Sequence, residues 1–233
     1  MADITDTRLL ELVNSDYPIS GVPDSRVNIT TAPTVAYSFN TIDLHEKALE
    51  AVEEMFAAAR KANIKSLYVC SGYRDYATQK RLYEEATDKS FVQPPNHSEH
   101  QTGLAVDIMA GNVSQEAMGS SREGRWLAEN SWKYGLILRY AADKQDITGI
   151  ACEPWHFRYV GQPHAWYCRQ NGLCMEEYIQ FLREGGGYSA SYNGVTYTVL
   201  WEKAGNGRIN VPEEKNYIVS SDNRGGYIVT AWE

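Results

Sequence analysis

Two histidines and one aspartate, drawn from two distant stretches, carry most of the chemistry that this chain can do. The first stretch is Ser98-Glu99-His100-Gln101-Thr102-Gly103-Leu104-Ala105-Val106-Asp107, and the second is Glu153-Pro154-Trp155-His156. Two imidazoles and a carboxylate suit Zn²⁺, with Fe²⁺ and Mn²⁺ chemically compatible. Three protein ligands leave one coordination position open, which separates a catalytic zinc from a structural one. Glu153 precedes His156 by three residues and is placed to handle a proton at such a metal without being a ligand. The reading is therefore a zinc hydrolase with His100, Asp107 and His156 as ligands. An H-x6-D spacing alone would be weak. The downstream ExxH and the small residues Gly103 and Ala105, which permit close backbone approach, strengthen it. His97 is left unassigned as a loop residue, and His45 and His164 read as packing or surface histidines.

These groups need a scaffold. A helix is expected from near Asp43, with Asp43 and Glu46 as a capping box, to about Ala62-Asn63. Leu44, Ala48, Val52, Met55, Phe56 and Ala59 form its apolar stripe. Ser66-Cys70 reads as a strand leading into Ser71-Gly72-Tyr73-Arg74, and Asp75 caps a second helix to about Ala86. Residues 88–99 read as a loop around Pro94-Pro95-Asn96, and residues 103–110 as a buried strand. A helix around Arg122-Trp132 and a strand at Leu136-Tyr140 follow. Glu153-Val160 reads as a strand, since Trp155, Phe157 and Tyr159 alternate with His156 and Arg158. Helical pieces at about 162–170 and 175–184 come next. The fold class is α+β, with helices packed on a small, largely antiparallel sheet. Gly185-Gly186-Gly187 marks a boundary, after which short strands with Asn/Asp/Gly turns form a β appendage. The expected division is residues 1–185 as the catalytic domain and 186–233 as the appendage packed on it.

Composition narrows the class further. The chain has 233 residues, of which 43% are hydrophobic and 22% charged, with a formal net charge of −8. That balance lacks the basic footprint of a nucleic-acid binder. No apolar run reaches the ~18 residues that a membrane-spanning helix needs. The first twenty residues lack the charged-then-apolar layout of a signal peptide, so a cytoplasmic protein or a trimmed form of an exported one is expected. Of the four cysteines, Cys168 and Cys174 lie close enough in sequence to bridge, but they read as half-buried thiols. Cys70 and Cys152 read as packing residues at strand ends.

The motifs resemble the VanY-type zinc D-Ala-D-Ala carboxypeptidases, a group that also holds VanX dipeptidases, L,D-carboxypeptidases and hedgehog-like zinc folds. The S-x-H-x-x-G-x-A-x-D signature is met at Ser98, His100, Gly103, Ala105 and Asp107, and E-x-W-H at Glu153, Trp155 and His156. S-G-Y-R is met at Ser71 to Arg74, with Gln79 following. The resemblance covers about residues 9–184. It implies that His100, Asp107 and His156 bind Zn²⁺ and that Glu153 is the general base. A carboxypeptidase must also recognise a terminal carboxylate, and Arg74 suits that role through a two-pronged guanidinium contact. Gln79, Ser98 and Tyr73 are expected to hold the peptide and Trp155 to wall the site, with the loop Thr87–Asn96 covering the pocket. The expected substrate is a peptidoglycan stem peptide losing its terminal D-alanine. An L,D-carboxypeptidase and a D-Ala-D-Ala dipeptidase share these motifs. A non-catalytic wall-binding module is the rival of a different class, and intact Glu153 and Arg74 argue against it. A monomer working on the extracytoplasmic, wall side is expected.

Overall fold

The structure, a computed structural model, describes residues 2–21, 25–185, 187–212 and 216–233. Its elements run β1 (Ala2–Asp3), β2 (Arg26–Asn28), β3 (Asp43–His45), α1 (Glu46–Lys61), β4 (Leu67–Ser71) and α2 (Tyr76–Glu85). Next come β5 (Ala105–Ala110), α3 (Arg122–Asn130), β6 (Leu136–Leu138), α4 (Gln145–Thr148), β7 (His156–Tyr159) and α5 (His164–Asn171). The chain closes with α6 (Met175–Gly185), β8 (Gly187–Tyr192), β9 (Val195–Glu202), β10 (Arg208–Ile209), β11 (Asn216–Ser221) and β12 (Tyr227–Trp232). They form two compact units, one of residues 13–174 and one of residues 1–12 with 175–233.

The larger unit is built on an antiparallel sheet of order β4-β5-β7-β6. All six residues of β5 are buried, as its unbroken apolar run around Asp107 requires of a central strand. Helix α1 buries Leu49, Val52, Met55, Phe56 and Ala59 in the same core as Val69, Val106, Ile108 and Phe157. Each fully buried side chain of this size contributes about 1.5–3 kcal/mol of hydrophobic stabilisation. The expected helix start is corrected here. Asp43 lies in β3, paired with Asn28, and the N-cap is His45, whose Nδ1 accepts from the Lys47 N–H. The second helix starts as read, with the Asp75 carboxylate accepting from the Thr78 N–H.

The expected strand from Glu153 begins only at His156. Pro154 has no N–H for a ladder, so Glu153 sits on a turn, its N–H bonded to the Tyr140 carbonyl and its own carbonyl accepting from His156. All four cysteines are free thiols, and Cys168 and Cys174 are buried rather than half-buried.

The smaller unit holds a sheet of order β11-β12-β9-β8. Asn193 and Gly194 join β8 to β9 with φ of 52° and 80°, the positive values that a tight hairpin needs at both turn residues. The expected boundary at residue 185 moves to between Cys174 and Met175. Helix α6 buries Met175, Tyr178, Ile179 and Leu182 and packs on β8 and β9, and the first residues join through pairing of β1 with β10. Of the Gly185-Gly187 signal, Gly186 lies outside the described residues.

Candidate active site

The sheet register assembles the reactive groups. Asp107 on β5 stands opposite His156 on β7, and on its other side opposite Ser71 on β4. Directly opposed residues of an antiparallel pair point to the same face. A bulge at Cys70 shifts the β4 register just before this row. His100 arrives from the 3-10 turn Glu99–Thr102. That turn ends at Gly103 with φ of 73°, a left-handed conformation that glycine adopts without strain.

The ligand atoms of His100, Asp107 and His156 all lie within 4.8 Å of one another, and all three residues are buried. His100 Nε2 is 3.3 Å from Asp107 Oδ2, and His156 Nδ1 is 3.1 Å from Asp107 Oδ1. Asp107 Oδ1 nevertheless makes no hydrogen bond. Nitrogen and oxygen ligands about 2.0–2.2 Å from a tetrahedral ion stand roughly 3.4 Å apart, so this spacing fits a divalent cation. The Gly72 carbonyl lies 2.7 Å from His100 Nδ1 and takes up that nitrogen's hydrogen, which leaves the Nε2 lone pair facing Asp107. Gly72 is required by packing, because a Cβ there would lie 2.5 Å from the Asp43 carbonyl oxygen.

Beside the triad opens a cleft of about 820 Å³, lined by Arg74, Gln79, Ser98, Glu153, Trp155 and the three ligand residues among others. Arg74 donates to Ser71 Oγ through Nε and Nη2, and to Asp107 Oδ2 through Nη2 at 3.0 Å. Gln79 is buried, its Nε2 donating to the Gln93 carbonyl at 2.7 Å while its Oε1 has no partner. Trp155 stacks on Phe91 with centroids 6.5 Å apart, so the loop after α2 supplies part of the wall. Tyr73 is not brought to the cleft. Its ring lies under the Arg26 guanidinium, 4.0 Å from it, because its N–H is tied to the Asp43 carbonyl.

A family profile described as VanY D-alanyl-D-alanine carboxypeptidase matches residues 41–162. A D-alanyl-D-alanine carboxypeptidase of Enterococcus faecium is 35% identical over 230 residues, covering 96% of this chain and 75% of that protein. The chain belongs to the VanY D-alanyl-D-alanine carboxypeptidase family. Among solved structures, the D,D-dipeptidase VanXYg in complex with a D-Ala-D-Ala phosphinate analog is similar at 29% identity and a TM-score of 0.83, covering 96% of this chain and 93% of that one. A VanY D,D-pentapeptidase variant in complex with Zn(II) is 34% identical with a TM-score of 0.61, covering 73% of this chain and 98% of that one.

The electrostatics of this VanY-family site separate its carboxylates. Burial pushes Glu153 up to about 7, the neighbouring His156 opposing and Asp107 reinforcing the rise. Burial would likewise raise Asp107, but His100 and His156 hold it well below the usual carboxylate range. Burial disfavours a charged His156, yet the carboxylates of Asp107, Glu99 and Glu153 lift it to about 9. Burial and Arg74 lower His100. One buried carboxyl near neutrality beside an ionised one is the separation that proton-transfer chemistry uses.

Sequence reasoning missed four residues next to this row. Glu99, Arg139 and Arg158 form a buried ion cluster, with Arg139 Nε at 2.8 Å and Arg158 Nη1 at 3.0 Å from Glu99 Oε1. The Tyr140 ring lies 4.8 Å from the His156 ring. One signal was legible: Arg158 shares the alternating strand face of His156, where a charged residue in a buried strand demands a partner.

Proposed function

We propose that this chain is a zinc D,D-carboxypeptidase that releases the terminal D-alanine of peptidoglycan stem peptides. His100, Asp107 and His156 are assigned as the zinc ligands and Glu153 as the proton-transfer group. The convergence of those three ligand atoms at the cleft, with Glu153 Oε2 3.5 Å from His156 Nδ1, carries the reading. Bound there, zinc supplies Lewis acidity, polarising the scissile carbonyl and acidifying water.

The protein's own groups do the rest. Glu153 takes a proton from the attacking water and returns it to the departing D-alanine amine as the C–N bond breaks. In the metal-free protein burial already raises its carboxyl to about 7. Arg74 binds the substrate's terminal carboxylate. Its Nε and Nη2 are held by Ser71 and Asp107, so Nη1 is the donor that remains among the described residues. Gln79 Oε1 accepts from a peptide N–H, Ser98 adds a hydroxyl, and Trp155 forms the apolar wall. The stem-peptide substrate puts its work on the wall side of the membrane, and among the described residues no helix is long and apolar enough to cross one.

Metal content followed by a muropeptide panel tests the reading. Release of D-alanine from a pentapeptide, abolished by a chelator and restored by zinc, is expected. Preference for a tetrapeptide would make it an L,D-carboxypeptidase, and preference for free D-Ala-D-Ala a dipeptidase. Undiminished turnover in the metal-depleted protein would end the metallopeptidase reading.

A further inference from the structure

Glu99 sits between the metal triad and two buried arginines. The side chains of Glu99, Arg139 and Arg158 all have 0% exposure. Both guanidinium groups donate to the same oxygen, Oε1. The other oxygen, Oε2, has no hydrogen-bond partner. It lies 3.6 Å from His156 Nε2, which has none either. The opposite edge of that ring presents Nδ1 to Asp107 Oδ1 at 3.1 Å and to Glu153 Oε2 at 3.5 Å.

An ionised carboxylate is acceptor-only, and a buried oxygen left unpaired is costly. Among the described residues, the group that faces Oε2 and can donate to it is an N–H on His156 Nε2. A neutral imidazole with its hydrogen on Nε2 has its lone pair on Nδ1.

We infer that Glu99 is a positioning residue, which keeps the His156 hydrogen on Nε2 so that Nδ1 is presented to the cation, while Arg139 and Arg158 fix the Glu99 carboxylate in place. This rests on the metal reading above. The two arginines also explain why the carboxylate does not turn toward the cation and become a fourth ligand. Both donors hold Oε1, and Oε2 faces His156.

Glu99→Gln is the discriminating variant, because it keeps the shape and reverses one polarity. The amide oxygen must face the two guanidinium donors, so the NH₂ turns toward Nε2–H, donor against donor. Zinc affinity measured by chelator competition is expected to fall about 10–100-fold, the usual effect of losing a carboxylate behind a metal-binding imidazole. The absorption bands of the cobalt-substituted variant are expected to shift, while circular dichroism of the metal-free form shows a folded chain. Affinity and bands equal to wild type would overturn the inference. Nitrogen-15 NMR of histidine-labelled, zinc-loaded wild type decides the matter even if the variant does not fold. Metal on His156 Nδ1 with a hydrogen on Nε2 is the expected result, and metal on Nε2 would refute it. Wild type that binds no zinc would instead sink the metal assignment itself, a result distinct from an unaffected Glu99→Gln.

Discussion

Asp107 and His156 are direct partners in the ladder between β5 and β7, and their Oδ1 and Nδ1 stand 3.1 Å apart without a hydrogen bond to Oδ1. His100 comes from the turn before β5, but Asp107 and His156 both stand on the middle of a sheet. Its two inner strands are held on both sides, which fixes the ligand spacing through backbone pairing. Arg74 and Glu153, the groups proposed to meet substrate, come instead from the segments after β4 and before β7.

Zinc binding is expected to release a proton from His156, since the surrounding carboxylates lift that ring to about 9 against its burial. Affinity therefore falls as pH falls below that value, by about tenfold per pH unit for one displaced proton. Chelator competition between about pH 6 and about pH 8 checks it. A flat profile would contradict the cationic metal-free state.

The metal-free protein is expected to lose stability as pH rises from about 6.5 to about 9. Glu153 is raised to about 7 and His156 to about 9, so the fold binds more protons than the unfolded chain between the unfolded and folded values of each group. Below about 6.5 the lowered His100 and His164 oppose the Glu153 contribution, so the net loss sets in above that value and runs through the His156 transition. Glu153→Gln is expected to flatten the lower part of this curve and, by removing one of the carboxylates that lift His156, to move the upper part toward lower pH. Thermal unfolding across pH, with chelator present, measures both.

Glu153→Gln is also expected to cut turnover about 10²–10⁴-fold while zinc stays bound at full stoichiometry. The amide cannot accept the proton, but His100, Asp107 and His156 are untouched. Near-normal turnover in the zinc-loaded variant would remove Glu153 from its role.

Arg74→Ala is expected to lower kcat/KM on a peptide with a free C-terminal carboxylate by about 10–100-fold, the value of a charge-assisted hydrogen bond. The C-terminally amidated peptide is expected to respond far less. An equal loss on both peptides would show that the side chain matters only through its contact with Asp107.

Gly72→Ala is expected to destabilise the fold by about 1–3 kcal/mol, the usual cost of overpacking. The new Cβ would meet backbone, the Asp43 carbonyl oxygen at 2.5 Å, as well as Ile42 Cγ2 at 2.8 Å. Relief must shift the Gly72 carbonyl that holds His100, so zinc affinity is expected to fall with it. Denaturant unfolding and chelator competition on the same variant test the two effects together.

Much of this was legible in the residues alone. The types and spacing of Ser98 to Asp107 and Glu153 to His156 pointed to the groups that the fold brings to one cleft, because coordination and proton chemistry depend on side-chain identity. The apolar stripe of α1, the Asp75 cap and the Asn193-Gly194 hairpin were equally plain, since helix period, capping and turn chemistry act over a few residues. Tertiary structure alone decided that His45 rather than Asp43 caps α1, that α6 joins the C-terminal strands, and that Tyr73 turns from the cleft to stack under Arg26. It also decided that Glu99 meets Arg139, Arg158 and His156 in the interior. These outcomes depend on strand register and on which charges are buried together, and pairing between distant segments leaves no mark in the spacing of neighbouring residues.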